Sequence, residues 1–488
     1  MDRFHSQRGQ LSLQILIFST VAVILLTGYL SWSYAVSDSI IRATERFSAL
    51  QIAEAGIDYY HWHLAHNPND YQDGTGATGP YTHDYYDKNG NRIGQFILDI
   101  TPPTTNSTVV TIQSTGLITS DPSISKIIKV KMGIPSFTKY AAAINDAVRF
   151  GQGTEVYGAI QSNNGIRFDG IAHNVVSSGL NSYDDPDHTG NNEFGVHTHV
   201  NIPPATGVND TFRAAEAPPS TITNRTDVFL TGRQLSAPAL NFAGITANLT
   251  QIKSDASSTG VYLAPSGARG YHIILKNNST FDVYRVTTLA SAPSGCSNVA
   301  NQTGWGTWSI RTTGGETFVR NYPFPANNLI FVEDDLWIEG IIGNSDRLTI
   351  GAARFPDNPA TRASITVNNN LTYTNYDGSN ALALIAQNNF NTGLNSANIL
   401  RIDGALIAQN GRAGRYYYNS SCGTNYRRST ITLYGSLMSY NRYGFAYTDG
   451  TGYATRNITY DPNLLYAPPP SFPLSASTYQ IISWEELK

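Results

Sequence analysis

The spacing of apolar residues changes period twice along the chain. Between Arg8 and Asp38 there is no Asp, Glu, Lys or Arg, and Leu11–Leu30 is dominated by Leu, Ile, Val and Phe. About 20 helical residues rising ~1.5 Å each span ~30 Å, one hydrocarbon core, so this run predicts a membrane-spanning helix. Arg3 and Arg8 precede it. They orient the N-terminus inwards and place the roughly 450 residues that follow outside the cytoplasm, a single-pass protein of the cell membrane. Beyond the run, Val36, Ile40, Ala43, Phe47, Leu50, Ala53, Ile57, Tyr60 and Leu64 recur every three or four positions, with Asp38, Arg42, Glu45, Arg46, Gln51 and Asp58 between them. That spacing continues the helix and gives it one apolar face, to be covered by its own domain or by a coiled-coil partner. Asn67-Pro68 stops it, because a residue before proline is steered out of the helical region.

The period then shortens to two. Asp70–Asn91, rich in Gly, Asp, Tyr and Pro, reads as a loop, and three strands follow at Arg92–Ile100, Thr108–Thr115 and Ser125–Met132. A small sheet of this kind supplies the face that the helix stripe needs. Gly133-Ile134-Pro135 marks a boundary.

From residue 140 onward the chain resembles itself. Asn145–Phe150 aligns with Asn163–Phe168 at an offset of 18, and Ala383–Asn388 with Ala405–Asn410 at an offset of 22. Ser436–Asn441 echoes the latter 31 residues later, the excess falling in Arg415–Arg428. Short apolar strands at Leu329–Val332, Leu336–Ile341, Arg347–Ile350, Ser364–Val367 and Thr430–Leu433 fill the intervals. Repeats of this length without helical periodicity predict strands stacked directly on one another. The expected fold class is therefore mainly β: a long transmembrane helix with a small α+β head, then a right-handed parallel β-helix. An antiparallel sandwich is the alternative. Residues 181–328 break the rhythm, with Pro, Ser and Thr clustered at Ile202–Ser220 and a hairpin at Tyr271–Lys276 and Thr280–Val286. They read as an inserted subdomain. Its Tyr183, Phe194, Trp305 and Trp308 would form either a contact surface or the cores of small lobes.

Composition agrees with a surface-exposed β protein. Charged residues make up 14% of the chain, while Gly (42) and Tyr (29) are abundant. A net charge of −4 over 488 residues, with no basic stripe, gives no case for nucleic acid as a partner. Cys296 and Cys422 could pair in an oxidising compartment or remain two lone thiols, and neither sits in a Cys-x-x-Cys motif.

Arg8-Gly9-Gln10-Leu11-Ser12-Leu13-Gln14 resembles the leader junction of type IV pilin-like proteins, and Ala49-Leu50-Gln51-Ile52-Ala53-Glu54-Ala55-Gly56-Ile57 resembles a segment of PilX-type pilus assembly proteins and minor pilins. The resemblance covers roughly the first 135 residues. The Leu437–Pro473 stretch, with Asp461-Pro462-Asn463-Leu464 and Pro468-Pro469-Pro470, resembles the ends of β-solenoid domains in other PilX-like proteins. The N-terminal resemblance implies cleavage between Gly9 and Gln10 by a prepilin peptidase, a pilin-like head, and other pilin-like proteins as partners. Major pilins carry Glu at the position of Gln14, where it pairs with a neighbour's N-terminal amine. A neutral amide forms no such ion pair, which points to a tip, minor or merely anchored role. A cleavable secretory signal ending at Ser33-Tyr34-Ala35 is the competing account. The organisation implied is a leader at 1–9, a transmembrane and amphipathic helix at 10–66 and a pilin-like β head at 67–135. The start of the solenoid follows at 136–180, the insertion at 181–328, the solenoid proper at 329–465 and a Pro-rich tail at 466–488.

Candidate chemistry is sparse. Asp184, Asp185, Asp187, His188, Glu193, His197 and His199 form the densest metal-ligand cluster, and His197-x-His199 would set both imidazoles on one strand face. Nothing in the sequence fixes a third ligand, so no metal or cofactor is assigned. Glu333-Asp334-Asp335 offers hard oxygen ligands for Ca²⁺ without a recognised calcium motif. Asp169, Glu339, Arg401 and Asp403 are strand-adjacent but fall on separate stretches, and no hydrolase elbow, zinc-protease or phosphate-loop motif is present. No catalytic residue is assigned. The expected function is that of a non-catalytic, membrane-anchored surface protein in pilus assembly, adhesion or display, meeting a surface glycan or another cell. The alternatives are a carbohydrate-active β-helix enzyme, a polysaccharide lyase or hydrolase, and a purely structural envelope component.

Overall fold

The computed structural model describes residues 6–104, 107–188, 190, 192–200, 216–242, 244–475 and 477–487. Most of the Ile202–Ser220 cluster lies outside them. The protein is mainly β with one long N-terminal helix, Ser6–His66, and it divides into two units.

The first unit comprises residues 1–104, 109–133 and 478–488. Its helix has two contrasting halves. Leu11, Leu13, Ile15, Leu16, Phe18, Ile24, Leu25 and Leu30 are all exposed, and the helix is long and apolar enough to cross a membrane. Burial begins only at Ala49 and follows Ile52, Ala53, Ile57, Tyr60 and Leu64. The apolar stripe expected from Val36 onward is therefore shorter than its sequence pattern: Ile40 and Phe47 are exposed. The buried stretch is set by close approach to the sheet. A Cβ on Gly116 would lie 2.1 Å from the Ala49 carbonyl oxygen, and one on Gly56 2.3 Å from Ser114 Oγ. Only small residues let helix and strand backbones pack this tightly. Phe47, two residues before Ala49 and so about 200° round the helix, faces away from the sheet.

The sheet runs, in spatial order, Tyr81–Tyr86, Arg92–Thr101, Val110–Ile118, Ser125–Gly133 and Gln480–Leu487, all antiparallel. Strict alternation of buried and half-buried residues along Val110–Ile118 turns one face to the helix. Two of these strands differ from the sequence expectation. Tyr81–Tyr86 lies within the stretch read as a loop, and Gln480–Leu487 within the stretch read as a tail. The second pairs with residues some 350 positions earlier, a partnership that no local pattern announces.

The second unit, residues 105–108 and 134–477, carries the large sheet. Among the described strands, 21 join, and all pair in parallel except the meander Gly270–Lys276, Thr280–Val286 and Glu316–Pro323. The repeat offsets are the pairing offsets. Ala383 sits beside Ala405 and Ala405 beside Ser436, while Val148–Phe150 pairs residue for residue with Ile166–Phe168. The central ladder passes from Val261–Leu263 through Leu329–Val332, Arg347–Ala352, Ala381–Ala386 and Ile399–Ala408 to Arg427–Ser439. It then continues, out of chain order, into Ala142–Ile144, Ile160–Ser162, Val176–Ser178 and Arg233–Gln234.

All six residues of Ala381–Ala386 are buried. Leu348, Leu384, Leu406 and Leu437 fill one side of the ladder, and Phe331, Ile385, Ile407 and Met438 pack on the other with Leu249, Ile252 and Ala256 of a helix, Gly244–Thr259. Burial on both faces explains why this strand reads as an unbroken apolar run. The covering helix is absent from the sequence expectation, and Val261–Leu263 with Gly270–Lys276 joins the large sheet although 181–328 was expected to project as one insertion.

Candidate functional site

Two clusters of histidine and carboxylate stand out in the second unit. The first is built on a small hairpin. Ser182–Tyr183 pairs antiparallel with Glu193–Phe194, and the chain then runs through Gly195 into Val196–His197, parallel to Ile166–Phe168. A Cβ on Gly195 would lie 1.9 Å from the Leu180 carbonyl oxygen, so only glycine allows the hairpin to close against that backbone. The extended backbone turns His197 and His199 to one side, and the hairpin brings Asp185 to meet them. Asp185 is 3% exposed and the two histidines 0%. One ligand atom from each of these three residues lies within 4.8 Å of the others. Asp185 thus offers the third ligand atom that the sequence did not fix.

The polar atoms of this cluster are poorly satisfied. His199 makes no hydrogen bond through either ring nitrogen, although its backbone N–H donates to Asp169 Oδ1 at 2.9 Å. His197 Nδ1 lies 3.3 Å from the Phe194 carbonyl oxygen, which can only accept, so Nδ1 carries a proton. Its Nε2 is then left facing Asp185 Oδ2 at 3.4 Å, and neither atom is aligned in a hydrogen bond. Asp185 Oδ1 accepts from the Asp187 N–H at 3.0 Å, holding Oδ2 towards the histidines. Burial pushes the Asp185 carboxyl up, but His197, the Asp187 N–H and Arg167 outweigh it and bring it to about 2. Burial, then the Arg167 charge and the neighbouring imidazoles, pulls His199 down to about 3, so its ring is neutral. Glu193 is raised by burial; its Oε1 is 3.5 Å from His188 Nδ1. Arg167 is anchored by Asp169 at 2.8 Å. Of the remaining residues in the sequence cluster, Asp184 is exposed and Asp187 pairs with Arg442.

The second cluster lines a cleft of about 270 Å³ with Trp337, Asn368 and Asn369. His272 lies between two carboxylates, with Nδ1 2.8 Å from Glu316 Oε2 and Nε2 3.2 Å from Glu339 Oε1. Burial opposes its charge, yet the two carboxylates raise it to about 9. Its hydrogen bond lowers Glu339. At neutral pH this is an imidazolium held between two carboxylates. Glu316 and His272 were not singled out from the sequence; they stand 44 residues apart, with no motif linking them.

The other sequence candidates are dispersed and engaged. Asp403 binds Arg401 at 2.8 Å and accepts from Tyr376 at 2.7 Å, while Asp169 serves Arg167 and Arg149. Glu333 pairs with Lys253, and Asp334 and Asp335 with Arg354, so this acidic run forms ion pairs. Cys296 and Cys422 are joined in a disulfide. Around it gather Leu394, Tyr416 and Tyr418, with Trp305 and Trp308 packed against them, and Trp305 Nε1 donates to the Tyr417 carbonyl. Tyr183 and Phe194 are buried. Gly9 and Gln10 fall within the first turns of the helix, the leader residues before Ser6 lie outside the described residues, and Gln14 is exposed on the apolar half.

No known protein family matches the chain, and no curated protein does. Among solved structures, the chain is similar to the competence-associated pilin ComZ from Thermus thermophilus, at 12% identity and a TM-score of 0.30 over 91% of this chain and 98% of that one. A likeness at that level carries no weight for fold or function.

Proposed function

We propose that the chain is a membrane-anchored, pilin-like surface protein that presents a right-handed parallel β-helix outside the cell, without catalysis of its own. The observation that carries this reading is the division within one helix: an uncharged, exposed apolar half long enough to span a bilayer, continuous with a half seated by Ala49, Ala53 and Gly56 on an antiparallel sheet. An exposed run of this size is costly in water and favourable in lipid. The in-register parallel ladders supply the β-helix part, and parallel crossovers are right-handed almost without exception. The disulfide fits an oxidising, extracytoplasmic compartment. Contact with a glycan or another cell would fall to the loops that the ladders hold rigid.

The test is N-terminal mass analysis of the mature protein from isolated envelopes, with protease added to intact cells. A chain starting at Gln10 and digested from outside is the expected result. A start at Val36 in a soluble fraction would make it a secreted protein, and a fully protected chain would reverse its orientation.

A further inference from the structure

We infer that Asp185, His197 and His199 form a binding site for a divalent transition-metal ion of the zinc class. The inference stands on the failure of these three side chains to satisfy one another. His197 Nε2 stands 3.4 Å from Asp185 Oδ2 with no aligned hydrogen bond at either atom. A cation between the two would give both a partner. The separation is that of two ligands around a tetrahedral zinc, which bonds of ~2.0–2.1 Å place about 3.3–3.4 Å apart.

His199 adds the second observation. A fully buried imidazole with both nitrogens lacking hydrogen-bond partners is rare in folded proteins, since each unsatisfied buried polar atom is destabilising. Metal coordination gives one of those nitrogens a partner. The surroundings are also those of a ligand set: the Phe194 carbonyl fixes the His197 tautomer, the Asp187 N–H holds the Asp185 carboxylate, and Asp169 holds the His199 backbone. Such outer partners orient metal-binding side chains. Two imidazoles and one carboxylate select a borderline ion such as Zn²⁺ over Ca²⁺ or Mg²⁺, which take oxygen. Three protein ligands leave a fourth position open, and Glu193 and His188, 3.5 Å apart, flank the site. Its ion ties the 182–199 hairpin to the Ile166–Phe168 strand.

The test uses the untagged full-length protein in detergent, stripped with a chelator and dialysed against Zn²⁺, Co²⁺ or Ca²⁺. One Zn²⁺ or Co²⁺ per chain is expected, the Co²⁺ form coloured by ligand-field absorption that Zn²⁺ abolishes, and no Ca²⁺. His197→Ala and His199→Gln should each lower Zn²⁺ affinity at least ~100-fold, and Asp185→Asn ~10–100-fold. A folded wild-type chain that takes up neither Zn²⁺ nor Co²⁺ would overturn the inference without recourse to any variant. Uptake that persists unchanged in the His197→Ala/His199→Gln double variant would overturn it too, as would preference for Ca²⁺.

Discussion

The two buried histidine clusters of the β unit have nearly the same ingredients and opposite states. His272 is saturated, each ring nitrogen within 3.2 Å of a carboxylate oxygen. His199 is starved, with no hydrogen bond at either nitrogen, and beside it His197 Nε2 and Asp185 Oδ2 stand 3.4 Å apart without an aligned hydrogen bond. The difference lies in the elements that carry them. Around His272, three strands of one sheet each contribute one charged residue, Glu339 from the adjacent strand and Glu316 from beyond Thr280–Val286, so the charges answer one another across the sheet. Around His199, a hairpin folds a carboxylate and two imidazoles onto one spot and leaves their lone pairs converging. A balanced cluster holds strands together; an unbalanced one calls for an ion from outside.

Four changes would break or sharpen that contrast. The largest concerns the starved cluster. Lowering free Zn²⁺ from a thousandfold above its dissociation constant to far below it should cost the β unit about 4 kcal/mol, read as a shift of the urea midpoint with and without chelator. The saturated cluster should not respond to chelator, and a His199→Gln chain should lose the response. Second comes His272→Gln. Because the folded value of about 9 lies above the ordinary 6.5, this histidine's contribution is complete below about pH 6.5 and disappears as pH rises through 9. Wild type should therefore lose roughly 3 kcal/mol across that window, and the variant should be nearly flat there when unfolding is followed at fixed ionic strength.

Third, Glu339→Gln leaves His272 with one carboxylate and should destabilise by about 1–3 kcal/mol at neutral pH. Glu339 is held below its ordinary value, so its contribution is present above about pH 4.5 and fades as pH falls through the folded value. The variant should match wild type in acid, and the His272 ring resonances should titrate at lower pH. Least in size is Asp169→Asn. It keeps an acceptor for the His199 N–H while removing the charge opposite Arg167. Zn²⁺ affinity should drop ~10-fold by competition with a metallochromic dye.

Much of the β unit is written in the sequence, since offsets of 18, 22 and 31 residues are literally its pairing registers. Repeats are legible because strands paired in parallel and in register impose the same burial on equivalent positions. Strands without a repeating neighbour escaped. Gln480–Leu487 pairs across a gap of about 350 residues, and the helix Gly244–Thr259 is polar apart from the few residues that cover the ladder. The metal cluster was half visible. His197-x-His199 declares itself through strand alternation, whereas Asp185 is one of three aspartates in a loop, and only the pairing of Tyr183 with Glu193 turns it inwards. For the same reason, His272 and Glu316 acquire meaning only when their strands meet.

The order of the central ladder has a consequence for how this protein comes into being. Ala142–Ile144 and Thr154–Tyr157 stack on Arg427–Ser439 and Gly452–Tyr460, which are made nearly three hundred residues later. The earliest of these strands therefore emerge with one edge bare and must wait, through most of synthesis, for the seam that completes them. Loop closure over such a span is slow, and a waiting parallel edge is prone to wrong partners. A chain released before residue 427 would hold two half-stacks with no strand to join them.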